Sequence, residues 1–367
     1  MVGTVTSGNL RIPVRNIWLL MLYASHLFRQ LDQQQRVAVE ENPDDIADLI
    51  AEILTHEVQR RLARNLSFGW RTQQAEIDRV RGRIDLRRTE TRRLLEKGKV
   101  ACRFEELTID TPRNRLVLAA LSRLAGLVQR GELAHRCRSL VGRFSRLGVL
   151  NEAPSRNEVS VISFGHFDAG DRRMVYAAKL ALDLALPNED SGNVLLPEPF
   201  RGIEWLRGLF EKGVAGFYDV TLSPDGWQVS HGKTIRWPMD NPTPGIGNIL
   251  PSMKTDILLN HPALQRRIII DTKFNSILSP GRYRPESLRS DYLYQLYSYL
   301  KTQEAPDDPL SLTSIGVLMH PAISKAVDEA MVVQGHLIRF ATVDLSADAG
   351  SIRLNLLALV EPHPYCA

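Results

Sequence analysis

Hydrophobic positions along the chain follow two rhythms. Ile46, Leu49, Ile50, Ile53, Leu54, Val58 and Leu62 recur at three- and four-residue steps, which sets them on one face of an amphipathic helix. Pro43, Asp44 and Asp45 suit its first turn, where a missing N–H costs nothing and negative charge meets the helix dipole. The same spacing predicts helices in "IPVRNIWLLMLYASHLF", in "TPRNRLVLAALSRLAGLVQRG", opened by Pro112 and closed by Gly131, and in "RRMVYAAKLALDLAL". The apolar stripe "WLLMLYA" reads as core rather than interface. Residues 1–11 are polar and predicted to fray. Between Arg79 and Arg103 the pattern changes to alternation around Gly82, which predicts short strands or a hairpin.

From Asn151 to Asp171 the chain turns polar and loop-like, and the domain boundary is placed there, giving units 1–170 and 171–367. The second unit opens with a helix, passes a loop at "PNEDSGNVLLPEPF", and forms a short helix around "IEWLRGLFEKGVAGF". Strand-like runs follow in "WQVSHGKTIRW", "KTDILLN" and "RRIIIDTKF". A helix at "RPESLRSDYLYQLYSYLK" separates them from strands at "SIGVLMH" and "VVQGHLIRFATVDL". That order predicts an α+β first domain and an α/β second domain, a mixed sheet flanked by helices.

One strand ends in an unusual way. In "RRIIIDTKF" three isoleucines run straight into Asp271 and Lys273. Side chains alternate along a strand, so these two share a face while Thr272 takes the other. An unpaired buried charge is very costly, so the pair must compensate each other or face a metal ion. Asp256, in "KTDILLN", supplies a second carboxylate if the two strands are adjacent. Asp256, Asp271 and the Thr272 carbonyl would form an all-oxygen site suited to Mg²⁺. A lysine beside such an ion suits phosphodiester hydrolysis, since it stabilises developing negative charge. An Asp-x-Lys pair by itself is as compatible with a surface salt bridge. The helix that follows carries Gln295 and Tyr299.

Composition narrows the field. The 367 residues are 44% hydrophobic, enough for two domains with a large core and no need of a disulfide or metal staple. Cys102, Cys137 and Cys366 are far apart, no CxxC pair exists, and HExxH is absent, so a reducing cytoplasm is expected and a zinc site is not. The run "IWLLMLYA" is too short to span a bilayer and lacks a secretory cleavage site, so no membrane association is expected. A net charge of +4 is compatible with nucleic acid. "DGWQVSHGKT" misses the P-loop pattern, because Trp227 occupies the required glycine position and Gly226 is one place early. Two strands with a turn between them are predicted there instead, and no nucleotide hydrolysis by this chain alone.

"TD", "DTK" and "YQLYSYL" in this order resemble the PD-(D/E)xK nuclease core, and specifically the McrC family, the nuclease subunits of McrBC modification-dependent restriction systems. The likeness extends to "IPVRNIWLLMLYA", "VRGRIDL", "FEELTIDTPRNRLVLAAL", "LRGLFEKGVAGF" and "ILPSMKTDILL", covering roughly residues 11–345. It implies a Mg²⁺-dependent endodeoxyribonuclease in which Asp256 and Asp271 bind the metal and Lys273 is the catalytic lysine. Gln295 would position water or DNA, and Glu211 matches the acidic residue of the first core helix. Thr255 stands where the family pattern has proline, which does no chemistry. Gly213 and Gly216 weaken the helix around Glu211, and an exposed helical carboxylate is the competing reading there.

The resemblance further implies a partner, a McrB-like AAA+ GTPase hexamer that binds the GTP and reads the modified base. The amino-terminal half would dock on it and stimulate it. The arginines from Arg79 to Arg103 are read as partner contacts, with a solvated face or DNA phosphates as the other reading. Double-strand cleavage implies a homodimer through the nuclease domains. Two rival functions remain at this point, a stand-alone repair or recombination nuclease and a non-catalytic regulator of an NTPase.

Overall fold

The structure is a computed structural model that describes residues 4–7, 10–165, 170–184, 203–280, 285–323 and 325–363. The loop predicted at "PNEDSGNVLLPEPF" lies outside the described residues. The chain forms two compact units, one of residues 47–182 and one that joins residues 1–46 to 183–367. This differs from a linear division at residue 170.

In chain order, β1 (Thr4–Ser7) pairs antiparallel with β2 (Leu10–Pro13), so the expected fraying gives way to a small hairpin. Helices α1 (Val14–Ala24), α2 (Gln33–Glu41) and α3 (Ile46–Leu62) follow. The arginine-rich region is built from β3 (Gly69–Ile77), β4 (Arg83–Ile84), α4 (Leu86–Thr91) and β5 (Val100–Thr108). Helices α5 (Pro112–Leu127), α6 (Gly131–Leu147), α7 (Arg156–Ser160), α8 (Arg172–Leu184) and α9 (Ile203–Leu222) come next. The remainder is β6 (Gln228–His231), β7 (Thr234–Ile235), β8 (Met253–Lys254), β9 (Ile257–His261), β10 (Arg266–Thr272), β11 (Leu278–Pro280) and β12 (Glu286–Leu288). It closes with α10 (Ser290–Thr302), α11 (Pro309–Leu312), β13 (Ile315–Pro321), β14 (Asp328–Val333), β15 (His336–Val343) and α12 (Ala349–Ala358).

In the 47–182 unit, β5 is the centre of an antiparallel sheet, ordered β3-β5-β4. The predicted hairpin region is therefore a three-stranded sheet with a short helix between its strands. Thr111 caps α5 by accepting from the Asn114 amide, with Pro112 at the first helical position. Gly131 begins α6 rather than ending α5. The break lies at Val128, whose backbone is extended. Asp48 accepts from the amides of Gln129 and Arg130 at 2.8 and 3.2 Å and so satisfies the turn between the two helices.

In the other unit α1 is buried on nearly every side; Ile17, Leu19 and Leu22 are fully enclosed. Such a helix needs neighbours all round. Asn16 donates from Nδ2 to the carbonyls of Leu345 and Ala347, both at 2.8 Å, which ties α1 to the far end of the chain. On another side it meets α9, which runs unbroken through Gly213 and Gly216. These glycines mark close helix contact, not helix weakness. A Cβ on Gly213 would lie 3.1 Å from the Leu20 carbonyl oxygen, and one on Gly216 only 2.9 Å from the Tyr23 carbonyl carbon.

The core of this unit is a six-stranded sheet ordered β14-β15-β13-β10-β9-β6. Its inner pairs β15/β13 and β13/β10 are parallel, and the outer pairs are antiparallel, so the sheet is mixed as expected. Helix α10 packs Leu296, Tyr299 and Leu300 into a cluster with Ile269, Leu318 and Phe340.

Candidate active site

β9 and β10 are adjacent and antiparallel, as the two-carboxylate reading required. Their ladder runs from Arg266 opposite His261 to Ile270 opposite Ile257. One step beyond the last pair, the Asp256 carboxylate takes over from the backbone. Its Oδ2 accepts from the Thr272 amide at 2.7 Å and from the Thr272 hydroxyl at 2.8 Å. Asp256 thereby fixes the end of β10 beside Asp271.

Asp271 is 1% exposed, and Lys273 Nζ stands 2.7 Å from its Oδ2. Among the described residues Lys273 is the one polar contact of this carboxylate, and no backbone or neutral side-chain donor reaches either oxygen. Burial pushes the Asp271 carboxyl up to about 6, Lys273 opposes the shift, and the negative charges of Asp256 and Glu211 add to it. Two carboxylates close enough to raise its pKa therefore surround Asp271.

Glu211 lies on α9, and its Oε1 pairs with His231 Nε2 at 2.9 Å. Phe210, its neighbour on α9, packs on Phe274 just past β10, with ring centroids 5.8 Å apart. Gln295 donates from Nε2 to the Tyr299 hydroxyl at 2.6 Å. The Tyr299 pKa is raised by burial first, with Asp271 and Asp256 adding to the shift and the Gln295 bond opposing it. The sequence-predicted Asp256, Asp271, Lys273, Glu211 and Gln295 thus lie around one end of β10. Thr272 enters through its amide and hydroxyl, as donors to Asp256.

Residues 5–182 match the profile of the family described as McrBC 5-methylcytosine restriction system component. Over those residues, just under half of its length, the chain is similar to the McrBC family. A curated relative of this chain is the type IV methyl-directed restriction enzyme EcoKMcrBC of Escherichia coli (strain K12). It is 24% identical over 361 residues, spanning 96% of this chain and 98% of the relative. Among solved structures, the refined half-complex from the tetradecameric assembly of Thermococcus gammatolerans McrB AAA+ hexamers with bound McrC aligns with a TM-score of 0.45. The identity is 15%, over 98% of this chain and 82% of that chain. The cryo-EM structure of the Thermococcus gammatolerans McrBC complex aligns at 0.33 and 15%, over 48% and 57%.

The donor set at the end of β10 fits a hard divalent cation. Among the described residues no three His, Cys, Asp or Glu groups converge as a ready-made cage. Mg²⁺ does not need one, because it keeps several waters and takes one or two carboxylates plus substrate oxygens. Asp271, buried beside Asp256 with no backbone or neutral donor on either oxygen among the described residues, meets that requirement. A soft or tetrahedral metal is poorly matched to it.

Three neighbours escaped sequence reading. His231 faces Glu211, Tyr292 stacks near Lys273, and His320 is buried next to both Tyr292 and Asn275. Single histidines and tyrosines carry no spacing signal; only strand order brings them here. The near-P-loop segment is, as predicted, two strands with a turn: β6 and β7 flank Gly232.

Proposed function

We propose that this chain is the DNA-cleaving component of a McrBC-type restriction complex, with a PD-(D/E)xK site in the unit that contains the mixed sheet. The observation that carries the reading is Asp271: a fully buried carboxylate that no backbone or neutral donor reaches among the described residues, paired with a lysine and close to two further carboxylates. Such a group is costly to the fold and makes sense when a cation completes it.

Asp256 and Asp271 would hold Mg²⁺, with the Thr272 carbonyl as a third oxygen. Bound there, Mg²⁺ would supply Lewis-acid polarisation of the scissile phosphate and a more acidic water. Lys273 places positive charge where negative charge develops during phosphodiester cleavage. Gln295 and Tyr299 form a polar pair that orients water or the DNA backbone. Glu211 contributes further negative charge and keeps His231 at the rim.

The amino-terminal half docks on a McrB-like AAA+ hexamer that binds and hydrolyses GTP. Its three-stranded sheet exposes Trp70 opposite Leu107, an apolar cross-strand pair left uncovered in this chain. Arg88 and Arg92 are held by Glu76, and Arg81 lies over Phe104, so these three are part of the sheet's own structure. Arg79, Arg83 and Arg103 are exposed and make no ion pair among the described residues, which leaves them for the partner.

The test is cleavage of methylated duplex DNA by the chain with its partner and GTP. Activity is expected in Mg²⁺ and none in EDTA, and Asp256→Ala is expected to lose at least about 10²-fold. An Asp256→Ala chain that cuts at the wild-type rate overturns the site assignment.

One such site cuts one strand, so a double-strand break calls for two chains with their nuclease units facing each other. Wild-type chain mixed with excess Asp256→Ala chain should then accumulate nicked DNA at the expense of linear product. Linear product that falls only with dilution, with no gain in nicks, would mean that each chain works alone.

A further inference from the structure

We infer that Tyr292 is a positioning residue: its ring is the seat that holds the Lys273 ammonium against Asp271. Its consequence for cleavage rests on the nuclease reading above; its geometry does not. Lys273 Nζ lies 5.1 Å from the Tyr292 ring centroid while standing 2.7 Å from Asp271 Oδ2. A lysine side chain has four rotatable bonds, and one ion pair leaves it free to swing about the carboxylate. A second attraction, to the electron-rich ring face, fixes the direction from which the charge approaches. The Lys273 side chain is only 12% exposed, so this attraction is little weakened by water.

The seat is itself held. Asn275 Nδ2 donates to the Tyr292 hydroxyl at 2.7 Å. Asn275 lies two residues after Lys273, and its carbonyl accepts from His320 Nδ1 at 2.9 Å. The fully buried His320 ring stands 5.9 Å from the Tyr292 ring, tilted against it. Lys273, Asn275 and His320 are thus arranged around one aromatic ring that comes from α10, three residues before Gln295. Three-residue spacing puts Tyr292 and Gln295 on one helix face, so a single helix presents both toward the end of β10. Arg289, exposed at the start of the same helix, lies with its guanidinium carbon 5.7 Å from the same centroid. It shares the ring from solvent, where the attraction is weaker. Packing alone does not account for the residue: leucine would fill the same partly buried volume against the α10 cluster, but would offer neither a ring face to Lys273 nor an acceptor to Asn275.

The experiment uses the full-length chain labelled at lysine Cε with ¹³C, in EDTA and without DNA. The Lys273 resonance is identified by its loss in Lys273→Arg. It is expected upfield, shielded by the ring, in wild type and in Tyr292→Phe, and to return to the unshielded position in Tyr292→Leu. In the complete cleavage reaction Tyr292→Leu should lower kcat roughly 10- to 30-fold with KM for DNA unchanged, while Tyr292→Phe stays within about 3-fold of wild type. A Lys273 resonance that does not move between wild type and Tyr292→Leu overturns the inference. So does an equal loss of kcat in the Phe and Leu variants, which would assign the effect to packing or to the hydroxyl. If wild type cuts no DNA but the resonance moves as described, the nuclease reading fails and the lysine seat stands.

Discussion

Asp271→Asn is expected to abolish DNA cleavage and at the same time to stabilise the metal-free chain. The two effects have one cause. A carboxylate that is 1% exposed, with Lys273 as its one polar contact among the described residues, is poorly solvated, and burial raises its pKa to about 6 in the folded chain. In the unfolded chain an aspartate titrates near ~3.9. Below about pH 4 the group is protonated in both states and costs the fold nothing. Between about 4 and 6 the unfolded chain releases its proton while the folded chain keeps it, so stability falls as pH rises. Above about 6 the full penalty is present, on the order of 3 kcal/mol by linkage at ~1.4 kcal/mol per pKa unit. Asparagine removes that penalty, and since the shift to about 6 already includes the attraction of Lys273, a net gain of about 2–3 kcal/mol is expected at pH 7.5. Urea unfolding in EDTA at pH 4 and pH 7.5 checks it: the variant should match wild type at the lower pH and exceed it at the higher. Cleavage in Mg²⁺ should fall by at least about 10³-fold, because both a ligand and the partner of Lys273 are gone. A variant that is less stable than wild type at pH 7.5 would mean that the Asp271–Lys273 pair holds the fold together rather than burdening it.

The same residue shows how much of the site could be read in advance. Asp271 and Lys273 announce themselves because three isoleucines make the strand unmistakable and strand alternation then fixes which side chains share a face. Asp256 was readable as a carboxylate at the start of another apolar run. What the sequence does not contain is the register that sets Asp256 against the Thr272 amide, since antiparallel register depends on the strands meeting. Tyr292, His231 and His320 are further from reach, each being a lone residue delivered by a different element. The helices show the same division. α3 and α5 carry apolar positions at helical spacing and were legible. α6 was not, because Gly131 reads as a helix end when the acceptor that stabilises the turn, Asp48, is about 80 residues away in sequence. The pairing of α1 with α9 was hidden for a related reason. Glycine inside a helix lowers local propensity, and only the approaching backbone of the other helix turns that loss into a fit.

That fit gives a graded expectation along α9. Gly208 faces open space, with nothing within 4 Å of where an added methyl would sit, so Gly208→Ala should gain the ordinary helix-propensity difference of about 0.5–1 kcal/mol. Gly213→Ala gains the same propensity but brings a Cβ to 3.1 Å from Leu20 Cδ2 and from the Leu20 carbonyl oxygen, so the two effects should nearly cancel. Gly216→Ala cannot be relieved by a side-chain rotation, because the obstruction is the backbone carbonyl of Tyr23. Either α1 or α9 must move, and α1 is pinned on its other side by Asn16 to Leu345 and Ala347. Tyr23 is fully buried between Phe28 and Phe217, which leaves no slack there either. Overpacking of this kind costs about 1–3 kcal/mol or more, and the propensity gain offsets only part of it. A net loss of about 2 kcal/mol is expected, equivalent to roughly 4–8 °C in Tm for a unit of this size. Thermal unfolding of the three variants should therefore rank Gly208→Ala above wild type, Gly213→Ala close to it and Gly216→Ala well below. Because α9 also carries Phe210 and Glu211 to the end of β10, the Gly216→Ala shift should reach the site as well, lowering cleavage at temperatures where the chain is still folded. A Gly216→Ala chain as stable as wild type would show that α1 and α9 are free to separate, and that the close contact between them does not set the position of Glu211.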